Sequence, residues 1–225
     1  MEEKNSFNYE SEMKEYYKSD EIAEEYDLAF SDDGSWRHWV IANRERTTVR
    51  LLLRRVPHDT VLDIPAGTGK LAPVFAELGA SVLACDISEY MLRIARTEYD
   101  QAGIGDVHFR ICDAERVSKV IDRTFDVAVC LRFLHRVPQG QKRRILHELG
   151  NVADYVIAST AVESQFHKAR RWIRKKILGG DNRGHCYEAL ADTEEILSDG
   201  FDIMASKHVL PLISQERIYL LRPDA

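Results

Sequence analysis

The spacing of apolar and polar residues changes along this chain in a regular way. A helical amino-terminal region, over roughly 10–29 and 36–56, gives way at residue 61 to short apolar runs separated by stretches of helical spacing. VLDI (61–64), SVLACDI (81–87), VHFRI (107–111), FDVAVCL (125–131) and YVIAST (155–160) have the length and the β-branched content of strands. LAPVFAELG (71–79), EYMLRIARTEYDQA (89–102) and QKRRILHEL (141–149) read as the helices between them, the first ended by glycine. FDIMASKHV (201–209) and ERIYLLR (216–222) close the chain as two further strands.

Strands that alternate with helices predict a mostly parallel sheet covered on both faces. The last two strands are joined only by a short connection, PLISQ, which predicts an antiparallel pair. The expected architecture is therefore a seven-stranded α/β sandwich with a closing hairpin.

Composition narrows the class only slightly. With 225 residues, 44% hydrophobic and 30% charged, the chain has the make-up of a globular domain with a sizeable core. A net charge of −6 argues against a dedicated nucleic-acid binder. No apolar stretch approaches the ~18 residues of a membrane span, and the acidic start MEEKNSFNYESEMKEYYKSD lacks the basic head and apolar middle of a secretory signal. Cys85, Cys112, Cys130 and Cys186 are widely spaced, which fits reduced thiols and a cytoplasmic address better than a disulfide frame or a zinc site. No other grouping of His and acids suggests a metal.

The charge is unevenly spread. Residues 1–33 hold 12 acids and three lysines, whereas QFHKARRWIRKKIL (165–178) holds six Lys or Arg and no acid. That basic stretch is either a docking face for an acidic or phosphorylated partner or a solvated helix face whose Phe166, Trp172, Ile173 and Ile177 pack inward.

Candidate chemistry collects where sheets of this kind bind ligands, beyond the carboxyl ends of the strands. Asp63 lies near the end of the first strand, Asp86 closes the second, and Asp113 follows the third. Cys130, Leu131 and Arg132 follow the fourth, just before His135. Any one of these acids reads as a cap or a turn residue; three in succession at three strand ends read as a site. The loop VLDIPAGTGK adds Gly67 and Gly69, a turn of the type that usually cradles phosphate. A carboxylate four residues before Gly67 would repel a phosphate. GTGKLA also matches the looser dinucleotide pattern G-x-G-x-x-A, and Asp63 argues against a pyrophosphate there on the same ground.

Taken in order, VLDIPAGTGK, VLACDIS, FRICDAE and FDVAVCLRFLHRV resemble the class I S-adenosylmethionine-dependent methyltransferases, over roughly residues 55–160, with the closing strands matching in topology. The resemblance implies a Rossmann-like fold: a lid region over 1–56, and a core over 57–225 with a specificity insertion around 162–195. It implies that Ala66, Gly67 and Gly69 form the turn under the amino-acid part of the cofactor, and that Asp63 acts near its ammonium. Asp86 takes the ribose hydroxyls, Ile87 and Met91 flank the adenine, Asp113 and Ala114 meet its amino edge, and Cys130 joins the cofactor set. Tyr17 and Tyr26, before or within the lid segment 24–39, either supply hydroxyls to the carboxylate end or pack the helix on the sheet. S-adenosyl-L-methionine carries a sulfonium and an ammonium and no phosphate, so an acid beside the glycine turn attracts it. The chain departs from the family at Pro65, where relatives usually have glycine.

His135 is the candidate general base, or else a loop histidine packed on the next helix. Arg132 is the candidate anchor for an acidic acceptor, with Arg136 left outside the site; both arginines have the alternative of pairing with the acidic amino terminus. His185 and Tyr187 are the residues of interest in the polar segment GGDNRGHCYEAL. CLRF stands where relatives that act on base amines carry Asn/Asp-Pro-Pro-aromatic, so a nucleobase acceptor is not expected. The spelling LDIPAGTGK with CLRFLHRV, and HELGNVADYV without a Pro-Gly-Gly turn, resembles a bacterial subgroup associated with surface polysaccharides or specialised metabolites. The expected acceptor is a small molecule or a glycan, with O-methylation of a sugar, acid or other small polar compound. The rival readings are a non-catalytic S-adenosylmethionine-binding module and an RNA-directed enzyme using the basic helix 166–176.

Overall fold

In the computed structural model, residues 36–163, 188–211 and 214–224 are described. They form a helix, α1 (Trp36–Leu53), then β1 (Thr60–Asp63), α2 (Ala72–Leu78), β2 (Ser81–Asp86), α3 (Glu89–Ala102) and β3 (Val107–Ile111). A 3-10 turn (Ala114–Arg116) and α4 (Val117–Val120) lead to β4 (Phe125–Cys130), and a second 3-10 turn (Leu134–Arg136) leads to α5 (Gln139–Gly150). The chain finishes with β5 (Ala153–Ala161), α6 (Leu190–Leu197), β6 (Phe201–His208) and β7 (Glu216–Pro223).

The seven strands form one sheet in the order β3-β2-β1-β4-β5-β7-β6. The first five run parallel, and β7 pairs antiparallel with both β5 and β6. The order reverses between β1 and β4, so a crevice opens at their carboxyl ends. Helical and strand periodicity explain why both faces are dry. Leu62, Leu83, Cys85, Ala128 and Val156 belong to one buried cluster, while their neighbours Val61, Val82, Ala84, Val127 and Ile157 belong to the other. Side chains inside the sheet also lock register: the Asp126 carboxylate accepts from Thr60 N–H at 2.7 Å and from its hydroxyl at 3.0 Å, joining β4 to β1.

The expected mostly parallel seven-stranded sheet with its closing antiparallel pair is present, with local differences; the short α4 was not expected. Helix α1 stops at Leu53 rather than at 56, since Pro57 disfavours helical backbone just before it. Helix α5 starts two residues early, at Gln139, with Pro138 as its extended cap. Helix α6 was not anticipated; its Thr193, Ile196 and Leu197 are buried, with Ile196 and Leu197 in the cluster that holds Phe201. The amino-terminal helix at 10–29, the basic helix 166–176, His185 and Tyr187 lie outside the described residues. Among the described residues no helix is long and apolar enough to cross a membrane.

A buried ion pair fastens the described segment that begins at Glu188 to α5. Lys142 of α5 is 2% exposed, and its Nζ lies 2.7 Å from Glu188 Oε1. Glu188 also bridges to Val162, and its carbonyl accepts from Glu163 N–H at 2.8 Å. Removing one partner strands a buried charge, which costs far more than the pair itself contributes. Lys142→Met is therefore expected to lower stability by about 3–5 kcal/mol, and Lys142→Met with Glu188→Leu to recover most of that. Urea unfolding of both variants tests this; equal losses in the two would show that the pair carries no such role.

Candidate functional site

A cavity of about 960 Å3, counted out to its open mouth, lies at the carboxyl ends of β1, β2 and β4. The loop after β1 builds its floor. Gly67 has φ +53°, a left-handed conformation, and a Cβ added there would meet nothing within 4 Å, so it faces open space. Gly69, at φ +79°, has the opposite reason for being glycine: a Cβ would lie 3.0 Å from the Ala95 Cα of α3. The loop is pressed against that helix. Pro65 follows a cis peptide bond and lines the cavity; the neighbouring turn contacts are made by Ile64 N–H to Val129 O at 2.9 Å and Ala66 N–H to Cys85 O at 2.8 Å. The turn expected at 65–69 thus forms with proline in it.

Two buried carboxylates stand beside this loop. Asp86 accepts from Gly67 N–H and from Ser88 N–H, both at 2.9 Å. Burial raises its pKa, and the N–H groups of Ser88, Gly67 and Ile87 oppose the rise. Asp63 accepts from the Tyr99 hydroxyl at 2.7 Å. Burial pushes its carboxyl up to about 7, against the Tyr99 hydrogen bond and with help from the nearby charge of Asp86. Tyr99 is itself fixed edge-on against Phe109, with ring centroids 5.5 Å apart. Thr68 also lines the cavity, and its buried Oγ1 has no hydrogen-bond partner among the described residues.

The opposite side of the cavity comes from β4 and α1. Arg132 has φ 56°, a left-handed conformation that costs a non-glycine residue about 1–3 kcal/mol. It is held there from both ends. Its N–H donates to Ser159 Oγ at 2.7 Å, and its guanidinium binds both oxygens of Glu45, with Nε to Oε1 at 2.8 Å. Glu45 is buried in α1. Behind it Glu216, at the start of β7, is raised well above the carboxylate range by burial and by Glu45, with Arg132 and Ser159 opposing.

The cavity brings together Asp63, Ala66, Gly67, Asp86, Ile87, Met91 and Arg132 of the residues expected from sequence. It also includes Arg136, which had been left outside. His135 sits on the 3-10 turn between the lining residues Phe133 and Arg136 but does not itself line the cavity. Cys130 is fully buried in the core face below, and Gly69 supports the loop from behind. Asp113 caps the turn after β3, accepting from Glu115 N–H at 3.0 Å, beside the buried Ala114; neither lines the cavity. Tyr17 and Tyr26 lie outside the described residues. Sequence reasoning missed Ala42, Glu45 and Arg46 of α1, whose spacing of three and four places them on one helix face, and it missed Thr68, Lys70 and Phe133.

Comparison with known proteins bears on this site. Residues 61–154, fewer than half of the chain, match a family described as a methyltransferase domain. The ubiquinone biosynthesis O-methyltransferase of Pseudomonas paraeruginosa (strain DSM 24068 / PA7) is 35% identical over 102 residues, 45% of this chain and 44% of that protein. The same enzyme of Pseudomonas aeruginosa (strain LESB58) is 36% identical over 101 residues, 44% of this chain and 43% of that protein. The chain thus spans less than half the length of these curated relatives in its match to them. In fold it is similar to the magnesium protoporphyrin IX methyltransferase of Synechocystis PCC 6803 with bound SAH, at a TM-score of 0.78 and 21% identity, covering 96% of this chain and 100% of that one. It is also similar to an S-adenosylmethionine-dependent methyltransferase of Clostridium acetobutylicum ATCC 824, at a TM-score of 0.64 and 14% identity, covering 91% and 98%.

The Asp63–Tyr99 pair generates a test independent of any ligand. Folded Asp63 keeps its proton at pH values where an unfolded aspartate, at about 3.9, has lost it. Its contribution to stability is therefore full below about pH 4 and falls away as pH rises through about 7. Tyr99→Phe removes the donor that opposes the shift, so the Asp63 midpoint is expected to move above 7. Carbon-13 NMR of the aspartate carboxyls reads that midpoint, and an unchanged or lower value would refute the role given to Tyr99.

Proposed function

We propose, on the premise that this chain belongs to the class I S-adenosylmethionine-dependent methyltransferases, that it transfers a methyl group to the oxygen of a small polar acceptor, such as a sugar, an acid or a specialised metabolite. The observation that carries the reading is a carboxylate, Asp63, lining the cavity beside a glycine turn. An acid in that place suits a cationic, phosphate-free ligand and opposes a pyrophosphate.

The residues present fit S-adenosyl-L-methionine. Asp63 answers its ammonium, Asp86 stands where ribose hydroxyls need an acceptor, and Ile87 and Met91 offer apolar surface for a base. The unpartnered Thr68 hydroxyl and the open face of Gly67 leave polar capacity and room at the turn. When bound, this cofactor supplies a methyl group activated on sulfur for in-line displacement. The protein's part is then to hold two reactants collinear and exclude water, which is worth up to ~7–11 kcal/mol. Arg132, fixed by Glu45 and Ser159, gives the acceptor side a rigid wall. An acceptor that arrives as a neutral hydroxyl must also lose a proton; His135 does not line the cavity, so we assign it that role only by way of a bridging water.

Two measurements test this. Asp86→Ala is expected to weaken S-adenosylhomocysteine binding by about 100-fold in calorimetry, ~2.7 kcal/mol, with circular dichroism unchanged. In the unsubstituted protein, affinity for the same compound is expected to rise between pH 6 and pH 8 as Asp63 loses its proton, and Asp63→Asn to flatten that rise. A pH-independent affinity would disprove the contact with the ammonium. Labelled methyl donor with fractionated cell extract, followed by mass spectrometry, tests transfer itself; binding with no labelled product in any fraction would favour a non-catalytic binding module.

A further inference from the structure

We infer that Cys85 and Cys112 form a modification site: a thiol pair that a small-molecule disulfide closes into a protein disulfide beside Asp86. The pairing stands apart from the methyltransferase reading; its effect on the cofactor rests on that reading.

Strand pairing brings together two cysteines that are far apart in sequence. Cys85 is the next-to-last residue of β2, and Cys112 is the first residue after β3. Cys85 is in register with Arg110, so Cys112, two residues further on, falls on the same face of the sheet. Cys112 N–H donates to Asp86 O at 2.9 Å and holds the end of β3 against β2. Both side chains belong to one buried cluster, and the Cys85 thiol donates its hydrogen to the Cys112 sulfur. Both are free thiols in this structure.

The two sulfurs are unequal. The hydrogen bond to Cys112, and then burial, raise the Cys85 thiol above its ordinary range. The same hydrogen bond lowers Cys112 against the pull of burial, with Arg110 adding to the effect and Asp113 opposing it. Thiolate is the attacking form, so Cys112 is the nucleophile and Cys85 the resolving thiol. Access comes through β3, the edge strand of the sheet, where Ile111 directly before Cys112 is 56% exposed. Cys112 itself is 4% exposed, so the reaction follows a local opening of that strand end, of the kind that costs far less than global unfolding.

In the first step the Cys112 thiolate attacks one sulfur of the small disulfide RSSR. A Cys112–SR bond forms, the S–S bond of RSSR breaks, and RS⁻ leaves to take a proton. The Cys85 thiol then gives up its proton and attacks the Cys112 sulfur, and the second RS⁻ leaves with that proton. Two protein thiols are oxidised and RSSR is reduced to two RSH. Closure reaches the cavity because Cys85 O accepts from Ala66 N–H at 2.8 Å and Asp86 holds Gly67 N–H at 2.9 Å. A covalent tie between the ends of β2 and β3 therefore draws on the point from which the glycine loop hangs.

The test uses the full chain carrying Cys186→Ser, which keeps the three thiols of the sheet. Reduced protein is incubated with glutathione disulfide, quenched in acid, denatured, alkylated and read by peptide mass spectrometry. A Cys85–Cys112 cross-linked peptide is expected, with Cys130, fully buried on the central strand β4, still alkylated. Cys85→Ser is expected to stop the reaction at a glutathione adduct on Cys112, and Cys112→Ser to prevent it. S-adenosylhomocysteine affinity is expected to fall about five-fold on oxidation and to return with dithiothreitol. No cross-link, a cross-link that forms only in urea, or Cys130 reacting as fast as Cys112 overturns the site. A cross-link that leaves S-adenosylhomocysteine affinity unchanged overturns its reach into the cavity. Reduced protein that does not bind S-adenosylhomocysteine at all would instead overturn the methyltransferase reading, with the cross-link still deciding the thiol pair.

Discussion

Carboxylates buried at the ends of adjacent parallel strands set the terms for everything around them. Asp63 and Asp86 are 3% and 5% exposed, and burying a charge without partners is prohibitive. The chain answers with specific donors: a tyrosine hydroxyl from α3 for one, and backbone N–H groups for the other. The second answer is the more consequential. Because Asp86 holds Gly67 N–H, the group that would meet a ribose also fixes the turn that would carry the rest of the ligand. Site electrostatics and loop shape are one constraint, not two.

The β4 side of the cavity is built by a different device. Arg132 sits in an unfavourable backbone conformation at the end of β4, held by Ser159 on β5 and Glu45 on α1. Glu216 of β7 lies behind them. One side chain thereby connects three strands and α1, which reaches the cavity through the face that carries Ala42, Glu45 and Arg46. A buried ionic cluster of this sort adds little net stability, but it leaves the helix very few ways to sit.

The strands were legible from sequence because those that are buried on both faces are apolar at most positions, as VLDI, SVLACD and FDVAVC are apart from Ser81, Asp126 and the acids at the ends of β1 and β2. Their acids were legible because a charge that ends such a run has no structural excuse. Arg136, Phe133 and the α1 residues were harder to read. Their roles depend on where a turn and a distant helix come to rest, and nothing in local spacing records that. Cys130 failed in the opposite sense: its place at a strand end suggested the site, but strand alternation turns its side chain into the core with Ala128, while Leu131 faces the cavity. Helix α6 escaped because ALADTEEILSD mixes acids with few apolar residues, and only Ile196 and Leu197 bury a full apolar side chain.

The contact between Gly69 and Ala95 couples two places that a sequence alignment would treat as independent. With backbone to backbone at that approach, any growth at position 95 has to be absorbed by the loop, because α3 is anchored by its Ser88 cap and by Tyr99. Enlarging a residue on a helix that does not line the cavity at that point would therefore reshape its floor. Directed evolution of this protein has a tuning knob there that lies outside the cavity lining.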